Sequence, residues 1–149
     1  MGVNTAAGTV LAVSASAPAT EDASGYAALT YTEVSNVSNL GDIGASFNKV
    51  EFQPLNGPKL KLKGSRDEGM INPTIALDDG DAGQAILQTA SDDSENTYVS
   101  VKITLPGGAI RYFQGPVFGM PESIGTADDI VTAAPTIEAN TPVIRVAAP

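Results

Sequence analysis

The chain has 149 residues with 17 Asp and Glu against 8 Lys and Arg, a formal charge of −9, and it contains no His, Cys or Trp. Without His and Cys there is no imidazole base, no Ser-His-Asp or Cys-His nucleophile pair, no disulfide and no thiolate zinc site. The acidic balance opposes gripping a DNA backbone, where affinity comes from Lys and Arg displacing counterions, but not DNA passing by without sticking.

The length fits one domain, residues 1–149, able to bury roughly 70% of its unfolded surface. Four Tyr and four Phe are the only aromatics, while Gly (15) and Pro (10) supply many turns. That is a β-rich profile and not that of a helical bundle. No apolar run approaches the length of about 18 residues needed to span a membrane. The start, Met1 to Ala19, has no Lys or Arg ahead of its short apolar stretch, unlike a secretory signal, so synthesis in the cytoplasm is expected.

In chain order, Thr9 to Ser14 predicts a first strand, followed by a loop from Pro18 to Gly25 and a strand from Leu29 to Val37. Phe47 to Phe52 alternates, with Val50 and Phe52 on one face and Lys49 and Glu51 on the other. Asn56-Gly57 then signals a turn, ahead of Pro58. In Lys59 to Lys63 three lysines face one way, Leu60 and Leu62 the other. Ile71 to Leu77 predicts a strand whose entry is constrained by Pro73.

A helix is expected at about residues 79–91, with Ala82, Ala85, Ile86 and Ala90 at helical spacing. Asp81 and Gln84 have the form of a capping box. Thr97 to Leu105 is the clearest strand, with Val99, Val101, Ile103 and Leu105 facing one way. It turns at Pro106-Gly107-Gly108 and returns as Ile110 to Phe118. Ile130 to Thr136 and Val143 to Val146 predict closing strands. The fold class is therefore mainly β: a sandwich or barrel of about seven to nine short strands flanked by one helix, with a long projecting hairpin.

Candidate chemistry is sparse. Of Asp78, Asp79 and Asp81, only Asp79-x-Asp81 matches a calcium loop, with Gly83 at the next alternating place, and the cluster reads better as a helix cap. Asp92, Asp93 and Glu95, and Asp128 with Asp129, lie in polar, turn-like sequence that would not raise a carboxyl pKa for acid catalysis. No phosphate loop is present. No catalytic, metal or cofactor-binding residue is assigned, and no enzyme activity is expected.

Charge layout is more informative. Residues 1–48 carry four acids and no base, and residues 67–149 carry twelve acids and three bases. Residues 49–66 carry Lys49, Lys59, Lys61, Lys63 and Arg66 against Glu51 alone. This basic segment reads either as an edge hairpin protected by lysines or as a projection that docks on an acidic surface of another copy, in a head-to-tail contact.

In order and spacing, several pieces resemble the major tail tube proteins of long-tailed bacteriophages, of siphophage type. They are Glu33-Val-Ser-Asn-Val-Ser-Asn-Leu-Gly-Asp-Ile-Gly44, Lys63-Gly-Ser-Arg-Asp-Glu-Gly69 and Gly83-Gln-Ala-Ile-Leu87, then Lys102-Ile-Thr-Leu-Pro-Gly-Gly108 and Arg111-Tyr-Phe-Gln-Gly115. The likeness runs over roughly residues 9 to 146. It implies a structural virion protein, a β-sandwich assembled as hexameric rings stacked into a hollow tube that conducts DNA to the host cell. It implies an inter-ring hairpin at about residues 45–69, arms at about 1–8 and 140–149, and Lys49, Lys59, Lys61, Lys63 and Arg66 as stacking candidates. Implied partners are copies of the same chain, a tape measure protein, a tail terminator and a distal tail protein, with no cofactor and no membrane. The rival reading is a phage decoration module that binds carbohydrate or host surface, for which Tyr26, Tyr31 and Tyr98 are the available stacking groups.

Overall fold

The computed structural model describes residues 2–149; Met1, the first residue of the expected N-terminal arm, lies outside the described residues. The elements run β1 (Val10–Ser14), α1 (Ala23–Ala27), β2 (Thr32–Val34), β3 (Val37–Asn39), β4 (Ser46–Phe52), β5 (Leu60–Asp67), β6 (Met70–Ile71) and β7 (Thr74–Ala76). They continue with α2 (Ala82–Asp92), β8 (Tyr98–Thr104), β9 (Ile110–Gly119), β10 (Glu122–Ser123), β11 (Thr132–Ala133), β12 (Thr136–Glu138) and β13 (Ile144–Val146).

A mainly β, sandwich-like architecture is thus what the chain adopts, with more and shorter strands than the sequence predicts. The surplus comes from breaks inside predicted runs. Asn36 takes a left-handed conformation, φ 65°, and splits Leu29–Val37 into β2 and the start of β3. Pro73 separates β6 from β7, and Pro135 separates β11 from β12, because neither can donate to a ladder. The predicted loop from Pro18 to Gly25 also holds a surprise. Asp22 accepts a hydrogen bond from the Gly25 amide at 2.8 Å and starts α1.

The large sheet has the order β2-β1-β8-β9-β12-β6, with β13 also paired to β9. The long strand β9 divides its outer edge: Ile110 to Tyr112 pairs with β13, and Val117 and Gly119 pair with β12. A second sheet, β10-β11-β7-β3, packs with α2 over one face of the first. Leu11, Val13, Val101 and Phe113 from the large sheet meet Ile75 from the small sheet and Leu87 from α2 in one buried cluster. Alternation along β8 puts Val99, Val101 and Ile103 in that core, as the sequence predicts.

The opposite face of the large sheet is covered too. Tyr26 of α1 stacks on Tyr112 at 5.3 Å between ring centroids, and Tyr31 tilts against Tyr112 at 6.0 Å. Ser100 is buried there because its hydroxyl donates to the Ser16 carbonyl at 2.7 Å. Neither the predicted loop from Pro18 to Gly25 nor the predicted strand from Leu29 to Val37 disclosed this second layer.

Gln84 explains how α2 is fixed. The Asp81 carboxylate accepts from the Gln84 amide at 3.0 Å, as a capping box requires. The Gln84 side chain does not return to Asp81. It is buried, accepts from the Asp78 amide at 2.9 Å, and donates to the carbonyls of Ser35 and Ala76. One side chain therefore ties the helix start to the segments after β2 and β7.

Candidate functional site

Among the described residues the third sheet contains only β4 and β5, which pair with each other and with no other strand. Their register sets Val50 opposite Leu62 and Phe52 opposite Leu60, so all four apolar side chains share one face. Lys49 opposite Lys63 and Glu51 opposite Lys61 occupy the other. The sequence alternation is thus realised on both strands. A loop at residues 53–59 joins them, tied by Gln53, whose amide donates to the carbonyls of Pro54 and Gly57, each at 2.9 Å. The Asn56-Gly57 signal accordingly sits inside a longer connection.

The five basic candidates occupy this hairpin in different circumstances. Lys49 and Lys59 both reach Glu51, at 2.9 and 3.3 Å. Arg66 pairs with Glu68 at 2.7 Å, a carboxylate just outside the basic segment. Lys63 lies over the Phe47 ring at 4.9 Å, with the Arg66 guanidinium 5.6 Å from the same ring. Glu51 is therefore shared by two lysines while Lys61 and Lys63 have no ion pair among the described residues, and the surface stays net positive.

The sequence did not disclose that the apolar face has no cover. Val50, Phe52, Leu60 and Leu62 are 49, 62, 51 and 61% exposed, and Leu55 at the loop tip is fully exposed. Alternation of this kind normally marks a strand half-buried on a core. Nothing in it distinguishes a strand packed on its own chain from one awaiting another. An isolated two-stranded hairpin is at best marginally stable in water, and contiguous exposed apolar surface marks an interaction site.

Other candidates fall elsewhere. Asp81 caps α2, and Asp78 accepts from the Gly80 amide in the preceding turn. Asp93 and Asp129 accept amide hydrogen bonds from Glu95 and Thr126, which hold both carboxyls below the ordinary Asp range. A general acid needs the opposite shift. Tyr26 is fully buried, Tyr31 is half-buried against Tyr112, and the Tyr98 hydroxyl accepts from the Asn140 amide group at 3.1 Å. The tyrosines offered for sugar stacking therefore do not form a platform. In the expected arms, residues 2–8 carry no strand, whereas Ile144–Val146 is bound into the large sheet beside β9.

No protein-family model matches the chain, and no curated protein matches it. Among solved structures, a chain of the cryo-EM structure of an extracellular contractile injection system, PVC sheath/tube terminator in extended state, is similar with a TM-score of 0.66. The identity is 12%, over 99% of this chain and 99% of that one. The two share a fold. At that identity the likeness shows the fold alone. No helix among the described residues is long and apolar enough to cross a membrane.

Proposed function

We propose that this chain is a structural subunit of a phage-tail-like particle, which self-assembles into hexameric rings that stack as a hollow tube for passage of DNA. The observation that carries the reading is the β4–β5 hairpin, a free-standing element with an uncovered apolar face and a lysine-bearing opposite face. Burying such a hairpin on a neighbouring copy removes four half-exposed apolar side chains from water. At about 25 cal/mol per Å² this is a sizeable driving force for association. Stability of the subunit is then partly a property of the assembly, as suits a chain with few aromatic residues. An acidic subunit with a bore of the same sign repels phosphate, so nucleic acid moves through without being held. Tape measure, terminator and distal tail proteins are the partners that such a tube requires.

The sheath/tube terminator structure favours a second reading, in which the chain forms one ring that ends a tube. Negative-stain microscopy of the purified protein separates the two. Open-ended hollow tubes with a regular axial repeat support the tube subunit, and single rings that never stack support the terminator. A protein that remains monomeric at every concentration and salt tested defeats both. Binding on a glycan array, with no assembly, would restore the decoration-module reading.

A further inference from the structure

Arg111 and Arg145 are directly opposite each other in the β9–β13 pair, on one face of the large sheet. Like charges in directly opposed positions destabilise a sheet. Among the described residues the ion pairs are Lys49–Glu51, Lys59–Glu51 and Arg66–Glu68, so neither arginine has a carboxylate partner. Arg111 is half-buried and donates from one guanidinium nitrogen to the Ile110 carbonyl at 3.1 Å; Arg145 is exposed. Most of their ten N–H donors are left over, in a chain with twice as many acids as bases. Both line a shallow depression walled by Ala109, Ala147, Ala148 and Pro149. Small walls leave the guanidinium groups accessible to a group entering from outside.

A second feature is frustrated in the opposite sense. Helix α2 ends in Asp92 with Asp93 as its C-cap, and no base stands in its last turn. Carboxylates at that position oppose the negative end of the helix dipole; Asp93 already accepts the Glu95 amide, whereas the Asp92 carboxylate has no such partner among the described residues. Glu95 follows in the same exposed loop, and among the described residues none of the three acids belongs to an ion pair.

The two features lie at opposite ends of the same strand. The acidic loop leads directly into β8 at Tyr98, whereas Arg111 pairs with Ile103 near the far end of that strand. Five residues of antiparallel strand separate the two ends by about 17 Å. They cannot meet within one chain, but a second copy placed end to end brings them together. Bidentate pairing of guanidinium with carboxylate would relieve both features at once.

We infer that the Arg111–Arg145 pair is a receptor for the Asp92–Asp93–Glu95 loop of a second copy, forming a heterologous contact separate from the β4–β5 hairpin. It rests on the self-assembly reading and adds a second, charge-specified contact to it.

Charge exchange tests it. R111E/R145E and D92K/D93K should each keep the far-ultraviolet circular dichroism of the parent and raise the critical concentration for assembly by about tenfold or more. The quadruple variant R111E/R145E/D92K/D93K, and an equimolar mixture of the two double variants, should both assemble near the parent concentration. If the parent assembles and either double variant does so equally well, the pairing is wrong while the assembly reading stands. If neither the quadruple variant nor the mixture is restored, the acidic loop is not the partner and the inference also fails. If R111E/R145E instead loses retention of duplex DNA with assembly unchanged, the pair serves nucleic acid and the inference is overturned. A parent that never self-associates removes both proposals together.

Discussion

Val50 and Leu62 face each other across the β4–β5 pair with about half of each side chain in water. Neither contributes to the buried cluster of the sandwich, and on the self-assembly reading proposed above their apolar character serves contacts with another copy. Replacing both with Ser should leave the monomer folded. The expected loss of stability is at most about 1 kcal/mol, since partly exposed groups have little burial to lose. Assembly should fail at concentrations where the parent forms rings or tubes. Size-exclusion chromatography with a thermal melt checks both halves. Unaltered assembly of V50S/L62S would show that this face is not an interface.

The lysine face gives a separable expectation. K59E/K61E/K63E reverses three charges on exposed side chains, one of them directly opposite Glu51. The variant should remain folded and should not polymerise. In the parent, the electrostatic share of docking should weaken as salt rises past the point where the Debye length falls to about 10 Å. Measuring critical concentration against ionic strength for parent and variant decides the matter. A salt-independent parent would leave the apolar face as the whole of the hairpin's contribution.

Much of the fold was legible because its signals are local. The alternation of Val99, Val101 and Ile103, the turn at Pro106 to Gly108, and the Asp81 cap each follow from a few adjacent residues. What escaped depends on distant neighbours. Tyr26 is buried against Tyr112 and hydrogen-bonded to Thr141, both far along the chain. Gln84 looks like half of a capping box, yet its side chain is taken by Ser35, Ala76 and Asp78. At the hairpin, the sequence placed Lys61 and Leu62 on opposite faces. It could not tell that Leu62 would have no cover, because the pattern of a strand on its own core is the same. Arg111 and Arg145 lie 34 positions apart and become a pair only through β-sheet register.

Close packing at the start of α2 makes Gly83 a sharp probe. On an exposed helix, Gly to Ala stabilises by about 1 kcal/mol. Here an added methyl would run into the Glu33 carbonyl of β2, which is backbone and cannot swing aside. Gly83→Ala should therefore destabilise, by about 1–3 kcal/mol as for other overpacked sites. Asp81→Ala, which removes the cap, should cost about 1 kcal/mol by comparison. Denaturant unfolding of the two variants checks the order. A stabilised Gly83→Ala would mean that α2 does not press on β2 as closely as the geometry requires.

The tyrosine layer predicts how stability changes with pH. Burial pushes the phenols of Tyr26, Tyr31 and Tyr112 up, with the neighbouring tyrosines adding to the effect at Tyr31. A raised phenol pKa means that the folded state favours the neutral form. Its contribution is therefore fully present below the unfolded value of about 10 and is lost as pH rises through the folded value. Each buried phenol that ionises only on unfolding removes about 1.4 kcal/mol per pH unit within that window. On the acid side the sign reverses. Amide hydrogen bonds lower the carboxyls of Asp22, Asp93 and Asp129, and at Asp81 such bonds outweigh the upward push of burial. Their contribution is present above the unfolded carboxylate range, near about 4, and is lost as pH falls through the folded values. With no His in the chain, no side chain of ordinary pKa titrates between those limits. Stability of the monomer should accordingly form a plateau between about pH 5 and 9, with a steep fall above pH 10. In a spectrophotometric titration, most tyrosinate absorbance should appear together with loss of circular dichroism. Smooth ionisation of all four tyrosines near pH 10 in a still-folded protein would contradict the buried stack of Tyr26 on Tyr112.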